Sequence, residues 1–316
     1  EFADGSLQYF INNTAAWASA DAPTLTRDAV SADGEPFLFA APPPGTCDDS
    51  PLPDAALWPE SAVAIPRDDG TDRVVVVMSK VCLSAENWLD IDLRGYAVVE
   101  FTYDPDDPPV DRPIRGEVIQ PDFAAADAGY GRALLFEPDG HLYGYQCGLF
   151  PDTWGPCRVA RVFVTDLTDA TAWRYWTGDD WTDPTSWVTD RSDAAPMQVP
   201  DVNADALPVA SFGVAHDENL DTHLMVYSPW PGFCGEFDVR VADAPVGPWT
   251  EPIPITLPGC TDDVHGLEQS CYAATPQMHL CGCGEIAGGY YDMLTDLGVG
   301  RYFTFVTPFV VTRPQR

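Results

Sequence analysis

Short apolar runs follow one another along the whole chain, and clusters of proline, glycine and aspartate separate them. The runs are rich in valine, tyrosine, phenylalanine, threonine and tryptophan, which favour strands, whereas the intervening residues favour turns. No long segment shows the 3.6-residue periodicity of an amphipathic helix, and only residues 14–19 and 122–128 could hold a helical turn. The pattern predicts an all-β protein.

The predicted strands arrive in clusters, and Pro/Asp-rich gaps such as residues 104–112 and 179–199 follow them. This spacing, with related tryptophan turns at 172–181 and 247–250, favours a β-propeller over a sandwich. The last strand is expected to share a blade with the N-terminal segment, which would close the ring. The strands are predicted at residues 9–12, 36–40, 62–66, 73–80, 96–103, 132–136, 141–147, 158–166, 172–176, 209–215, 223–228, 237–242, 272–279, 286–291 and 302–311.

Length and charge narrow the class of protein further. The 316 residues are 45% hydrophobic, enough for one large core, so a single domain over residues 1–316 is expected. The net charge of −33 argues against binding to nucleic acid or to anionic lipid. No apolar run reaches the eighteen residues that a membrane span needs, and no signal-peptide pattern opens the chain, so it is expected to be mature.

The chain contains nine cysteines, which is many for a reducing compartment. Their spacing does not fit zinc, because the only close pair is Cys281-Gly282-Cys283. Disulfides and a secreted or cell-surface protein are therefore predicted. The odd number implies a free thiol or a partner on sequence beyond this chain, and Cys147 is predicted to pair with Cys157 across a hairpin.

Cofactor signatures are weak. The aspartate-rich segments 68–72 and 104–107 resemble calcium loops but lack the full set of oxygen ligands, so solvated turns are favoured over calcium sites. A Gly-x-Ser-x-Gly nucleophile and a glycine-rich phosphate loop are both absent from the sequence. No cofactor is expected, and calcium is the one alternative.

Several motifs resemble a bacterial domain family, formerly of unknown function, that includes endo-D-arabinanases. The motifs are spread over most of the chain, at residues 57–59, 157–162, 172–181, 239–242, 247–252, 271–274, 290–291 and 305–311. The resemblance implies a five-bladed β-propeller, related in architecture to furanosidase propellers, with the substrate in a central funnel. Two departures stand out: the family usually opens with strands ending in a Gly-Asp-Thr turn, and it tends to show His-Pro-Glu where this chain has residues 276–280. Either the N-terminus is truncated relative to the family, or the member is divergent with altered or lost chemistry.

Glycoside hydrolysis requires two carboxyl groups, one acting as acid and the other as base or nucleophile. Glu60, directly after Trp58-Pro59, is the first candidate, and Glu236 is the second. Glutamates embedded among apolar residues suit this role, because a desolvated site raises the pKa of an acid catalyst. The competing interpretation of each is a solvent-facing strand end.

Sugars are bound by aromatic faces and by directional hydrogen bonds. Candidates for these contacts are Asn13, Trp58, Trp154, Arg161, Tyr272, Gln277 and His279. Arg161 and His279 also have structural interpretations, as an inter-blade tie and as a satisfied histidine. The sequence favours a secreted glycoside hydrolase-like protein acting on a furanose-containing or related polysaccharide. The alternative is a non-catalytic propeller that binds carbohydrate or another surface partner.

Overall fold

A computed structural model describes residues 16–19, 22–28, 38–84, 90–106, 114–147, 156–197, 199, 209–217, 220–229, 236–256, 270–276, 285–294 and 299–308. These residues form eighteen β-strands and three 3-10 turns of three residues each, which confirms the all-β class. Within these ranges, no helix is long and apolar enough to cross a membrane.

The strands are numbered in chain order. They are β1 (Ala16–Ser19), β2 (Ala22–Asp28), β3 (Asp54–Pro66), β4 (Asp72–Leu83), β5 (Ile91–Tyr103), β6 (Glu117–Ala124), β7 (Ala133–Phe136), β8 (His141–Gln146), β9 (Arg158–Phe163), β10 (Arg174–Trp176), β11 (Trp187–Val188), β12 (Val209–Asp217), β13 (Thr222–Pro229), β14 (Glu236–Ala242), β15 (Ile253–Thr256), β16 (Ser270–Pro276), β17 (Glu285–Leu294) and β18 (Val299–Pro308).

The described strands form five sheets in which neighbours in sequence are neighbours in space. Their orders are β1-β2, β3-β4-β5-β6, β11-β10-β9-β8-β7, β12-β13-β14-β15 and β16-β17-β18. Consecutive strands connected this way are meanders, the unit from which propeller blades are built. β18 pairs with β17, and β1 pairs with β2. Residues 1–15, which hold the N-terminal strand of the predicted shared blade, lie outside the described part of the chain, so that blade stays a prediction.

The chain divides into two compact units. The first contains the described residues from 16 to 145 together with 161–173, and the second contains those from 146 to 160 and from 174 onward. In the first unit, β4 is buried without interruption from Val75 to Leu83. A strand covered on both faces carries a continuous apolar run instead of an alternating one, which is why Val74-Val75-Val76-Val77-Met78 appears in the sequence. One face of this sheet packs against Phe39 and Ala40.

Lys80, the only lysine of the chain, is buried in this same strand. Its Nζ donates to Asp122 Oδ1 of β6 at 2.6 Å. Gly95 of the intervening β5 lies directly opposite Lys80, and the register slips immediately after this pair. Gly95 has φ +125°, and a Cβ there would lie 2.6 Å from the carbonyl oxygen of Ala124. The close approach of β5 and β6 therefore requires glycine.

In the second unit, a buried arginine joins two family-like motifs. Arg240 of β14 donates from Nε to the Tyr227 hydroxyl at 3.0 Å and from Nη1 to the Thr250 carbonyl at 2.7 Å. Thr250 also accepts from the Val241 amide through its Oγ1. Trp249, 1% exposed, is held in the core by the same turn. The motif residues 239–242 and 247–252 thus have a structural role in this unit.

Two disulfides lie within the described residues. Cys147 pairs with Cys157, joining the end of β8 to the start of β9, which confirms the predicted bond. Cys47 pairs with Cys82 of β4 across 35 residues. Cys271 is described in its backbone alone, and the remaining cysteines, at 234, 260, 281 and 283, lie outside the described ranges.

Several local predictions were wrong. Residues 16–19 and 117–124 are strands rather than helical turns, and residues 38–40 are not a strand. The 3-10 turns occur instead at Val164–Asp166, Pro184–Ser186 and Arg191–Asp193. Asp183 and Asp190 cap the last two of these turns, accepting from the backbone amides of Thr185 and Ser192. An aspartate two residues before a Thr or Ser is the signal that identifies these turns.

Candidate functional site

Glu60 occupies a β-bulge in β3. In the pairing with β4, Pro59 lies opposite Met78 and Ser61 opposite Val77, so Glu60 is the extra residue. Bulges re-aim side chains, because two consecutive residues oppose one on the partner strand. Here both consecutive side chains reach the segment before β7: Ser61 Oγ donates to the Gly131 carbonyl, and Glu60 pairs with Arg132.

Both carboxylate oxygens of Glu60 have partners. The Ser79 hydroxyl donates to Oε1 at 2.6 Å, and Arg132 Nε lies 3.5 Å from Oε2. Ser79 is 3% exposed, whereas the Glu60 side chain is 23% exposed. The desolvated setting expected of an acid catalyst is therefore absent, and a partly exposed carboxylate oriented by two neighbours is present.

Arg132 is positioned by a tight approach of the chain to the sheet. Gly131 has φ +143°, and a Cβ at this position would lie 2.9 Å from Val77 Cγ2. The Gly131 amide also donates to the Tyr145 carbonyl at 3.2 Å. A side chain at residue 131 would push the segment away from β4, and with it the guanidinium of Arg132.

Tyr96 of β5 completes this polar cluster. It lies opposite Ser79 in the register of β4 and β5 and is 3% exposed. Burial and the nearby charge of Glu60 raise the pKa of Tyr96 to about 12, against an opposing effect of Arg132. The phenol is therefore protonated at neutral pH and can act as a hydrogen-bond donor.

Trp58 precedes the bulge and lies opposite Ser79. Its indole is half-buried and packs against a small apolar cluster that contains Ala56, Val81 and Leu83. Part of the ring therefore packs in the core. Its role as a sugar-stacking face stays a prediction.

Arg161, in β9, is half-buried beside Tyr143 of β8. Burial raises the pKa of Tyr143 to about 12, while the Arg161 guanidinium lowers it. Arg240 has the same kind of neighbour, Tyr227 on the preceding strand, whose pKa burial likewise raises to about 12. The recurrence favours the structural interpretation of Arg161, and its contact with substrate remains a prediction.

The other predicted site residues are not tested by side-chain geometry. Glu236 opens β14 opposite Thr256, and Tyr272 lies in β16 opposite Gly289. Only the backbone of these two residues is described. The remaining candidates lie outside the described ranges: Asn13, Trp154, Gln277 and His279.

The cluster of Glu60, Ser79, Tyr96 and Arg132, here named the Glu60 cluster, combines a carboxylate, two hydroxyls and a guanidinium. Such groups supply the donors and acceptors that a polyol requires. Sequence reasoning identified Glu60 alone, because Ser79 and Arg132 join it across strands. The sequence Gly129-Tyr130-Gly131-Arg132 could have indicated Arg132, because glycines in such a segment are typical of a close approach between two backbones.

The sequence matches no protein-family model and no curated protein. Among solved structures, it is similar to a GH43_1 enzyme from Xanthomonas citri, at 14% identity and a TM-score of 0.39, covering 82% of this chain and 72% of that one. An arabinoxylan arabinofuranohydrolase of glycoside hydrolase family 43 from Bacillus subtilis, solved with cellotetraose, gives 16% identity and a TM-score of 0.44, covering 81% of this chain and 48% of that one. An endo-arabinase from Bacteroides thetaiotaomicron gives 14% identity and a TM-score of 0.40, covering 79% of this chain and 75% of that one. The chain thus spans about half the length of the Bacillus enzyme.

Proposed function

We propose that this protein is a secreted, glycoside hydrolase-like protein that acts on a furanose-containing or related polysaccharide. The observation that carries the proposal is the Glu60 carboxylate, partly exposed and fixed at both oxygens by Ser79 and Arg132. A functional carboxylate needs this support, because catalytic and binding groups must be held close to one geometry. The family-like motifs in the sequence supply the substrate class.

The proposed architecture is a five-bladed propeller formed by residues 1–316. The meander order of β3-β4-β5-β6 and of β12-β13-β14-β15 supports it, since each propeller blade is such a meander. β3 and β7, the first strands of two successive sheets, contact each other in the first unit. First strands of neighbouring blades meet in this way around a propeller axis. No cofactor is proposed, and calcium is the one alternative.

A binding function without catalysis is the second candidate, and one observation favours it. The groups that hold the Glu60 carboxylate are the Ser79 hydroxyl and the Arg132 guanidinium. Together they supply donors and acceptors for sugar hydroxyl groups, and binding of this kind requires no bond cleavage.

The test uses Glu60→Gln in the whole chain, assayed for release of reducing ends from arabinan, arabinogalactan and xylan. The change is isosteric and removes the titrating proton, so cleavage should fall at least about 100-fold. The amide oxygen can still accept from Ser79, and the partly exposed pair with Arg132 is long at 3.5 Å, so the melting temperature should change little. Binding to the same polymers is measured in parallel, to test the second candidate function.

Glu100→Gln is the matched control. Glu100 lies in the same sheet, is 22% exposed, and pairs with Arg73 at 2.8 Å. It should keep wild-type cleavage and binding. Equal activity in Glu60→Gln and wild type would refute a catalytic Glu60. Binding without any cleavage by the parent protein would select the second candidate, and neither binding nor cleavage would refute the proposed function.

A further inference from the structure

Two histidines face each other across a hairpin of the second unit. His216 of β12 and His223 of β13 are direct partners in the antiparallel register. Side chains at such positions have Cβ atoms about 5 Å apart. The two imidazole rings are stacked, with centroids 4.6 Å apart and planes inclined by 4°. The backbone of two paired strands therefore holds the rings together.

The ring nitrogens of this pair are close enough to share an ion. One nitrogen of His216 and one of His223 lie within 4.8 Å of each other. Two imidazole nitrogens bound to one tetrahedral zinc ion are about 3.3 Å apart, given Zn–N distances of about 2.0–2.1 Å. Binding of one zinc ion would therefore require the two rings to tilt out of their parallel stack until the nitrogens reach that separation.

A carboxylate lies beside His216. Asp221 Oδ1 is 3.5 Å from His216 Nε2, and the Asp221 side chain is 91% exposed. Asp221 has φ +49°, the left-handed conformation of a tight turn, which places it just before β13. His223 is 5% exposed, so the imidazoles form the inner part of the cluster and the carboxylate its solvent side.

We infer that His216, His223 and Asp221 form a binding site for a divalent transition-metal ion of the zinc class. Two imidazoles and one carboxylate are ligands that zinc accepts, and they leave one tetrahedral position for water. Calcium is not the expected ion, since it prefers oxygen ligands in larger number. The expected effect of the ion is to stabilise the β12–β13 hairpin.

The experiment is a titration of the EDTA-dialysed, unreduced full chain with Zn²⁺, followed by calorimetry and by the melting temperature. The expected result is one tight equivalent of Zn²⁺ and a higher melting temperature. His216→Ala should weaken binding by more than the roughly 10–100-fold that loss of an outer-shell partner costs. The same variant should lose the zinc-dependent rise in melting temperature.

His141→Ala is the matched control. The His141 side chain is 16% exposed, as is that of His216, and its Nδ1 lies 2.9 Å from Asp139 Oδ2. It should bind Zn²⁺ as wild type does. His216 is replaced rather than His223, because His223 is buried. Asp221→Asn keeps an oxygen but not the charge, so its affinity for Zn²⁺ should lie between those of wild type and His216→Ala. Failure of wild type to bind Zn²⁺, or equal binding by wild type and His216→Ala, would overturn the inference.

Discussion

At the scale of single residues, several of the aspartates stabilise turns. Five aspartates accept hydrogen bonds at Oδ1 from both the backbone amide and the hydroxyl of the Thr or Ser two residues later: Asp69, Asp169, Asp180, Asp183 and Asp190. A carboxylate in this position closes the turn. It accepts the amide hydrogen bond that a carbonyl group of a neighbouring strand would otherwise accept. The segment 68–72 is one of these turns, which explains its resemblance to a calcium loop.

These contacts make the stability of the turns depend on pH. The hydroxyl and amide of Ser192 lower the pKa of Asp190. A depressed pKa in the folded protein contributes stability above the unfolded value and loses it as pH falls through the folded value. Asp190→Asn keeps the cap but does not titrate, so its melting temperature should fall less than that of wild type below pH 3.8.

Thermal melts over a pH series provide the measurement. Asp193→Asn is the control, because it lies at the end of the same turn, outside the capping position. An identical acid dependence in wild type and Asp190→Asn would contradict the assignment of the shift to the cap.

At the scale of elements, the register of the first large sheet depends on a single glycine. Gly95→Ala would force an unfavourable φ and bring Cβ to 2.6 Å from a backbone oxygen. Backbone strain of this kind costs about 1–3 kcal/mol, and the clash adds to it, so a loss of about 2–4 kcal/mol is expected.

Denaturant unfolding of Gly95→Ala beside Gly70→Ala separates the two causes. Gly70 also has a positive φ of +86°, but a Cβ there meets nothing within 4 Å. Gly70→Ala should cost about 1 kcal/mol, from backbone strain alone. An equal loss of unfolding free energy in the two variants would contradict this explanation. It would show that glycine at residue 95 is not required by the close approach of β6 to β5.

Two of the strands that sequence reasoning missed share a physical character. β6 and β15 lie at the ends of their sheets, and they contain Pro121 and Pro254. Proline cannot donate to a ladder and is confined to edges and bulges, so it hides an edge strand from a pattern based on apolar alternation. The inner strands β4, β5, β8, β13 and β14 were predicted because packing, and not an edge, decides their composition.

The candidate site was predictable only in part for a related reason. Glu60 stood out as a rare acid among apolar residues, but its partners Ser79 and Arg132 lie 19 and 72 positions away in the sequence. A bulge at Glu60 brings them together, and no local pattern marks it. His216 and His223 were missed because a hairpin, not a ligand motif, makes them neighbours.

At the scale of the whole molecule, the loops closed by the two disulfides that lie within the described ranges restrict the unfolded chain. The Cys47–Cys82 bond closes 35 residues and the Cys147–Cys157 bond closes 10. In the chain-entropy account, loops of these lengths contribute about 3.8 and about 2.7 kcal/mol. Both bonds tie a segment to a buried strand end, so their loss should not change the fold class.

Paired Cys→Ser replacements provide the test. Removing the longer loop should lower the free energy of unfolding by about 1 kcal/mol more than removing the shorter one. Each double variant is compared with wild type by chemical unfolding without reductant. A larger loss on removing Cys147–Cys157 would show that local packing, and not loop length, dominates the effect.

The burial of Lys80 should make the one lysine of this sequence slow to react with acylating reagents. Its only side-chain ammonium is 10% exposed and held by Asp122 in the middle of a sheet. Acylating reagents must reach the nitrogen, so burial and the contact with Asp122 both slow their attack on Lys80. The rate at which this single residue is acylated would therefore report on local opening of β4 in the first unit.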